Sequence, residues 1–353
     1  MKKIIAMYLP QYYSFPENDE WWGKGFTDWT NVRKAKPLFR GHMQPKIPLD
    51  NNYYCLLDKK THLWQADLAK KYGIDGFCYY HYWFNGKMLL EKPIELVLSN
   101  PDIKIKYCFS WANESWARTW DGQEKKYLIK QSYGGQEDWE NHFQYLVKFF
   151  KDSRYIRIDD MPVMLLYTSS RIARCEEMVE YWNTRIKSLG FKGLYVIETL
   201  NAYQKEPALK NSQGVYYFEP AYTLSYALKK KNLLSKGRRF LLSKMGIGGV
   251  LKYDARVAYE LIEKRNPKWN KTIYKGTFTD WDPTPRKGKK GLVMCHNSPD
   301  LFRKNINKLL NEYSGGDYVF INAWNEWAEG AYLEPDEDHR YDYLEICKNC
   351  QAD

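Results

Sequence analysis

The 353-residue chain has no apolar run long enough to cross a bilayer. It has no disulfide framework either. Its seven cysteines, Cys55, Cys78, Cys108, Cys175, Cys295, Cys347 and Cys350, are odd in number and scattered. Cys78 and Cys108 sit inside apolar strand patterns and read as small core residues. Cys347-Lys348-Asn349-Cys350 has no second pair and no histidine cluster, which excludes a zinc or thioredoxin-like motif. No glycine-rich strand-to-helix turn is present to cradle a nucleotide. The net charge of +11 comes without any groove-binding or RNA-binding motif, so nucleic acid is not an expected partner. No repeat, low-complexity tract or compositional break divides the chain, and residues 1–353 are expected to form one domain. The opening Met1-Lys2-Lys3-Ile4-Ile5-Ala6-Met7-Tyr8-Leu9-Pro10 imitates a signal peptide. Its apolar run is too short and no small-residue cleavage site follows. It reads as a first strand, with the cytoplasm as the expected location.

Aromatic residues, by contrast, are abundant at 17%, with 30 Tyr and 14 Trp. Large cores use such rings, and so do sugar sites, where a C–H face packs on the ring and Tyr or Trp keeps a polar edge. The densest basic stretch, Lys229 to Lys244, interleaves Leu233, Leu234, Phe240, Leu241 and Leu242. It offers peripheral contact with an anionic membrane surface, although Gly237 interrupts it and its apolar positions form no clean stripe.

Eight β-rich runs alternate with helical patterns: Lys3–Tyr8, Ile74–Tyr80, Ile105–Ser110, Val163–Tyr167, Leu194–Thr199, Val215–Glu219, Tyr274–Thr279 and Tyr318–Ala323. Helical spacing fills 59–72, 91–99, 137–151, 172–189, 256–265 and 300–313. This β-then-α repetition predicts an α/β fold, a (β/α)8 TIM barrel with long strand-to-helix loops at 11–58 and 222–253. Barrel sites lie where strands end, so the expected substrate-binding residues are Tyr8, His81, Trp83, Trp111, Asn113, Glu114, Trp116, Glu219, Trp281, Asp282, Trp324 and Asn325. The rings of Trp83, Trp111, Trp116, Trp281 and Trp324 are expected to include those lining a groove for several sugar units.

The segment Ile321-Asn322-Ala323-Trp324-Asn325-Glu326-Trp327-Ala328-Glu329-Gly330 carries the chemistry. It runs from a strand into two carboxylates three residues apart, fenced by tryptophans, and glycosidic-bond cleavage needs two such acids flanking the bond. Glu326 and Glu329 are the expected catalytic pair. No metal and no cofactor are expected, since neither Asp280-Trp281-Asp282 nor Asp336-Glu337-Asp338 is joined by histidines or further acids at ligand spacing.

Asn325-Glu326-Trp327-Ala328-Glu329-Gly330 resembles the paired-glutamate motif of glycoside hydrolase family 99. A closer resemblance is to the WbsX-type, family-99-like proteins associated with bacterial O-antigen and capsule biosynthesis. It is carried by Tyr8-Leu9-Pro10-Gln11, Glu17-Asn18-Asp19-Glu20-Trp21-Trp22-Gly23, Gly25-Phe26-Thr27-Asp28-Trp29-Thr30-Asn31-Val32, Gly73-Ile74-Asp75-Gly76-Phe77, His81-Tyr82-Trp83, Trp111-Ala112-Asn113-Glu114 and Trp281-Asp282. The resemblance implies a (β/α)8 barrel and retaining, endo-α-mannosidase-like hydrolysis of an oligosaccharide or polysaccharide. It implies that Glu326 deprotonates the substrate's own 2-hydroxyl, which attacks C1, and that Glu329 is the general acid/base. Two other readings stand beside it: a glycosyltransferase or transglycosylase of O-antigen or capsule biosynthesis, and a non-catalytic glycan-binding barrel.

Overall fold

Nine short parallel strands frame the protein. The structure, a computed structural model, describes residues 2–117, 127–230, 249–266 and 269–352. In chain order the strands are β1 (Lys3–Tyr8), β2 (Ile74–Phe84), β3 (Lys106–Trp111), β4 (Met161–Leu166), β5 (Tyr195–Leu200), β6 (Gly214–Tyr217), β7 (Thr272–Tyr274), β8 (Gly276–Phe278) and β9 (Tyr318–Asn322). Side by side they run β7-β6-β5-β4-β3-β2-β1-β9-β8. The last barrel strand lies beside the first, as the sequence predicts, with Ile5 opposite Phe320 and Ala6 opposite Ile321.

Strands β7 and β8 are the two halves of one expected strand, parted at Lys275. The lower half pairs with β6 and the upper half with β9. The Lys275 carbonyl still accepts the Phe320 amide at 3.1 Å, so the ring closes across the break. Gly276 marks the crossing point. A β-carbon there would stand 2.2 Å from the Tyr217 carbonyl oxygen, a separation only glycine permits.

The helices are α1 (Pro16–Trp22), α2 (Asp28–Lys34), α3 (Lys59–Lys71), α4 (Lys92–Ser99), α5 (Gln136–Phe150), α6 (Cys175–Lys187), α7 (Ala221–Lys230), α8 (Ala255–Glu263), α9 (Thr284–Lys287), α10 (Pro299–Asn311) and α11 (Asp342–Ala352). Helix α5 shows why they form. Glu137 and Asp138 complement the positive end of the helix dipole and Lys148 the negative end. Trp139, His142, Phe143, Leu146, Phe149 and Phe150 recur at helical spacing on its buried face. No described helix is long and apolar enough to cross a membrane. Most of the basic 229–244 stretch, with its expected membrane contact, lies outside the described residues.

Facing direction decides which residues reach the site, because neighbours along a strand point to opposite sides. On β2, Tyr80, Tyr82 and Phe84 face the mouth of the barrel, while His81 and Trp83 face α5. Register carries this alternation round the ring. Tyr80 stands opposite Ser110, Ser110 opposite Leu165, Leu165 opposite Ile197, and Thr199 opposite Tyr216.

Candidate active site

A cavity of about 390 Å³ opens at the C-terminal ends of the strands. Glu326 and Glu329 both line it, together with Glu114, Trp116, Trp281, Gln11, Tyr80, Tyr82, Tyr167, Tyr203 and Arg286. The two glutamates sit on a tight hairpin just beyond β9, where Asn325 stands opposite Tyr332 and Glu326 opposite Ala331. A single 3-10 turn, Trp327–Glu329, separates the two acids, and Gly330 reverses the chain at φ 67°. The hairpin is bolted to the first strand. Asn325 accepts the Leu9 amide at 2.8 Å and donates to the Leu9 carbonyl at 3.0 Å, while the Tyr12 hydroxyl donates to the Asn325 carbonyl at 2.6 Å. Beneath it the Trp327 ring stacks on Tyr332, and its indole N–H donates to Glu334 at 2.7 Å.

Arg286 organises the acids. Its Nη1 donates to Glu329 Oε1 at 2.8 Å, and its Nη2 donates to Glu326 Oε2 at 3.1 Å and also to Asp28. The guanidinium is almost wholly enclosed and Asp28 is fully buried. Burial opposes the charge on Arg286, but the three carboxylates outweigh it and hold the guanidinium well above its ordinary value. Among the described residues in this cluster, three acids meet one cation, an excess of negative charge in a largely buried place. Burial, with Glu329 and Asp28 adding to it against the pull of Arg286, pushes Glu326 up to about 8. Each of the two glutamates keeps one oxygen, Glu326 Oε1 and Glu329 Oε2, with no hydrogen bond to another described residue.

Helix α9, which bears Arg286, is fixed in turn by Asp282. That carboxylate caps the first turn of α9 through the Thr284 amide at 3.0 Å and accepts from Gln44 at 2.6 Å. His42 Nε2 lies 2.7 Å from the same oxygen. Asp282 is therefore a support for Arg286 and does not line the cavity.

Other expected residues also lie off the cavity. Tyr8 donates to Gln65 of α3 at 2.7 Å, on the outer side of β1. His81 lies 2.8 Å from His142, and burial pushes it down to about 3, which keeps it neutral. Trp83 stacks on His142 and donates to Asp138, while Trp111 packs edge-on against His142. Glu219 shares its side of the strand with Tyr217 and pairs with Arg265 behind the barrel wall. Asn113 clamps the backbone of Thr168, and Trp324 packs on Phe77 in the core. Of the five tryptophans expected at a groove, only Trp116 and Trp281 border the cavity, and Trp116 lies parallel to Tyr82 at 5.4 Å.

Residues 4–347 match the family described as Glycosyltransferase WbsX. The chain belongs to the WbsX family. Uncharacterized protein WxcX of Xanthomonas campestris pv. campestris (strain ATCC 33913) is 35% identical over 350 residues, 98% of this chain and 49% of that protein. The chain thus spans about half the length of the curated relatives it matches. Among solved structures, a glycoside hydrolase-like protein superposes with a TM-score of 0.62 at 13% identity, covering 99% of this chain and 93% of that one. The GH99 endo-alpha-mannosidase from Bacteroides thetaiotaomicron gives 0.56 at 16% identity, covering 99% and 96%. This WbsX chain is therefore glycoside-hydrolase-like in fold, with the barrel that the sequence predicts.

Proposed function

We propose that this WbsX-family chain is a glycan-active enzyme that breaks glycosidic bonds through Glu326 and Glu329, with retention and in the manner of an endo-α-mannosidase. The observation that carries the reading is the convergence of both carboxylates on one aromatic-walled cavity, each held by one oxygen to Arg286. Glu326 takes the proton of the sugar's 2-hydroxyl. That oxygen attacks C1 while Glu329 protonates the departing glycosidic oxygen, and a 1,2-anhydro sugar forms. Glu329 then takes a proton from water, the water attacks C1, and the 2-oxygen recovers its proton from Glu326. A base raised toward 8 suits this step better than an ordinary carboxylate, because its basicity is closer to that of the alcohol it must deprotonate. The substrate is a bacterial polysaccharide or an O-antigen or capsule precursor.

The family description favours a second reading, transfer, in which a sugar hydroxyl takes the place of water on the same pair of acids. Incubation with O-antigen and capsule fragments, with and without nucleotide sugars, separates the two. Reducing ends released without a nucleotide sugar support hydrolysis. Lengthened products, formed with or without a nucleotide sugar, refute it and support transfer. A 2-deoxy analogue should bind and remain uncleaved, whereas a 2-deoxy-2-fluoro sugar trapped on any carboxylate would overturn assistance by the substrate.

A further inference from the structure

The wall of the cavity that carries Glu114 is held by polar side chains buried inside the protein. Asn113 accepts the Thr168 amide at 2.8 Å and donates to the Thr168 carbonyl at 2.9 Å. Ser169 donates to Glu198 at 2.6 Å, and the Ser170 amide donates to Gln204 at 3.0 Å. Asn201 accepts the amide of Tyr203 at 2.8 Å. Asn113, Glu198 and Asn201 are fully buried, and Ser169 and Gln204 nearly so. Burying polar groups stabilises less than burying apolar ones, so a network of this kind serves to fix the geometry of what it holds.

What it holds is exposed. The loops after β3, β4 and β5 bring Glu114, Arg171 and Tyr203 together at the cavity's edge. Arg171 donates through Nη1 to Glu114 Oε1 at 2.6 Å, and its guanidinium lies 4.7 Å from the centre of the Tyr203 ring. The Arg171 side chain is 49% exposed, and Tyr203 is 61% exposed. A guanidinium has five N–H donors, and this one directs a single hydrogen bond to a described residue. The ring and Glu114 hold it from two sides, which leaves a positioned fork with further donors, a shape suited to carboxylate and phosphate oxygens.

We propose that Arg171, backed by Tyr203 and Glu114, recognises an acidic substituent of the bound glycan, a carboxylate or phosphate group placed at the edge of the cavity. The ring of the sugar bearing that group lies against Tyr203. The inference rests on the glycan-active reading for the nature of the ligand and not on the catalytic roles of Glu326 and Glu329.

Binding of D-glucuronic acid, glucose 1-phosphate and methyl glucoside is measured by titration NMR on the whole chain at low and high salt. The acidic probes should bind at least about tenfold more tightly than the neutral one, with the difference shrinking as salt screens it. Glucuronic acid and the phosphate, compared with each other, tell which oxyanion is preferred. Arg171→Gln should abolish the preference, and Arg171→Lys should restore only part of it, because lysine keeps the charge and loses the fork. Lys287→Gln tests a different exposed cation, one that lines the cavity next to Arg286, and should leave the preference unchanged. Equal binding of acidic and neutral probes to the natural chain overturns the proposal. So does a preference that survives Arg171→Gln or disappears with Lys287→Gln. Glu326→Gln keeps the acidic preference if the proposal holds, even where no bond-breaking activity is found, so the two readings fail separately.

Discussion

Replacing Glu326 or Glu329 by glutamine keeps the shape of each side chain and removes its capacity to move a proton. Each variant should lose about 10²- to 10⁴-fold in kcat while its circular dichroism stays unchanged; near-full activity in either would remove the pair from catalysis. The elevated Glu326 adds a pH signature. As the base it must be ionised, so the limb of kcat/KM that reports this group should climb with pH toward about 8. The same elevation has a consequence for stability. An unfolded glutamate ionises near ~4.3, so the unfolded chain releases this proton first. The contribution of Glu326 to stability is present below that pH and fades as pH rises toward about 8. The Tm of Glu326→Gln relative to the natural chain should therefore improve with rising pH, and a difference that is flat or reversed would contradict the burial of this acid. Arg286 was not legible in the sequence. It lies on the short helix α9, 40 residues before Glu326, and nothing local marks it as the countercharge of a distant pair. A buried acid pair does require a cation, and a search for one near Trp281-Asp282 would have found it.

At the scale of elements, strand positions could be read and strand facing could not. Seven of the eight expected β-runs fall on single strands within a few residues of their ends, β1 with its expected range unchanged. Tyr80-His81-Tyr82-Trp83 is aromatic throughout because a parallel barrel strand is covered on both sides, so no polar alternation tells lumen from helix layer. His81 and Trp83 were assigned to the site on that ambiguous pattern, and Tyr80 and Tyr82 reach it instead. The interruption at Lys275 was equally hidden, since Tyr274–Thr279 reads as one run. Helix α11 left a signal that C-x-x-C spacing obscured: Leu344, Cys347 and Cys350 lie on its buried side. Two substitutions test the elements that matter most. Gly276→Ala should cost about 2–4 kcal/mol in urea denaturation, because its methyl group meets the Tyr217 carbonyl where the ring closes. Asn325→Leu should remove both bonds to Leu9 and cost about 2–4 kcal/mol, while lowering activity through the displaced hairpin. A variant with lost activity and unchanged stability would instead make Asn325 a residue that touches the substrate.

For the molecule as a whole, Asp28, Arg286, Glu326 and Glu329 are supplied by widely separated parts of the chain, and closure of β1 on β9 brings them together. Activity and tertiary structure should thus be lost together in denaturant, with coincident midpoints; activity vanishing well before the fold would show that the segment bearing Arg286, with α9, melts by itself. Chelators should leave turnover unchanged, because proton transfers between side chains and sugar account for every step proposed. Loss of activity with EDTA, restored by manganese or magnesium, would count against that chemistry and for transfer. The alternation along β2 has a further bearing on how such a barrel can change in descent. A substitution at Tyr80 or Tyr82 is exposed to selection by the ligand, and one at His81 or Trp83 to selection by α5. The insertion of one residue ahead of them would exchange the two sets at a stroke, turning an imidazole and an indole toward the cavity and two phenols into the packing of a helix. Lineages of this barrel can therefore vary freely in loop length, but within β2 they are confined to replacement, one position at a time.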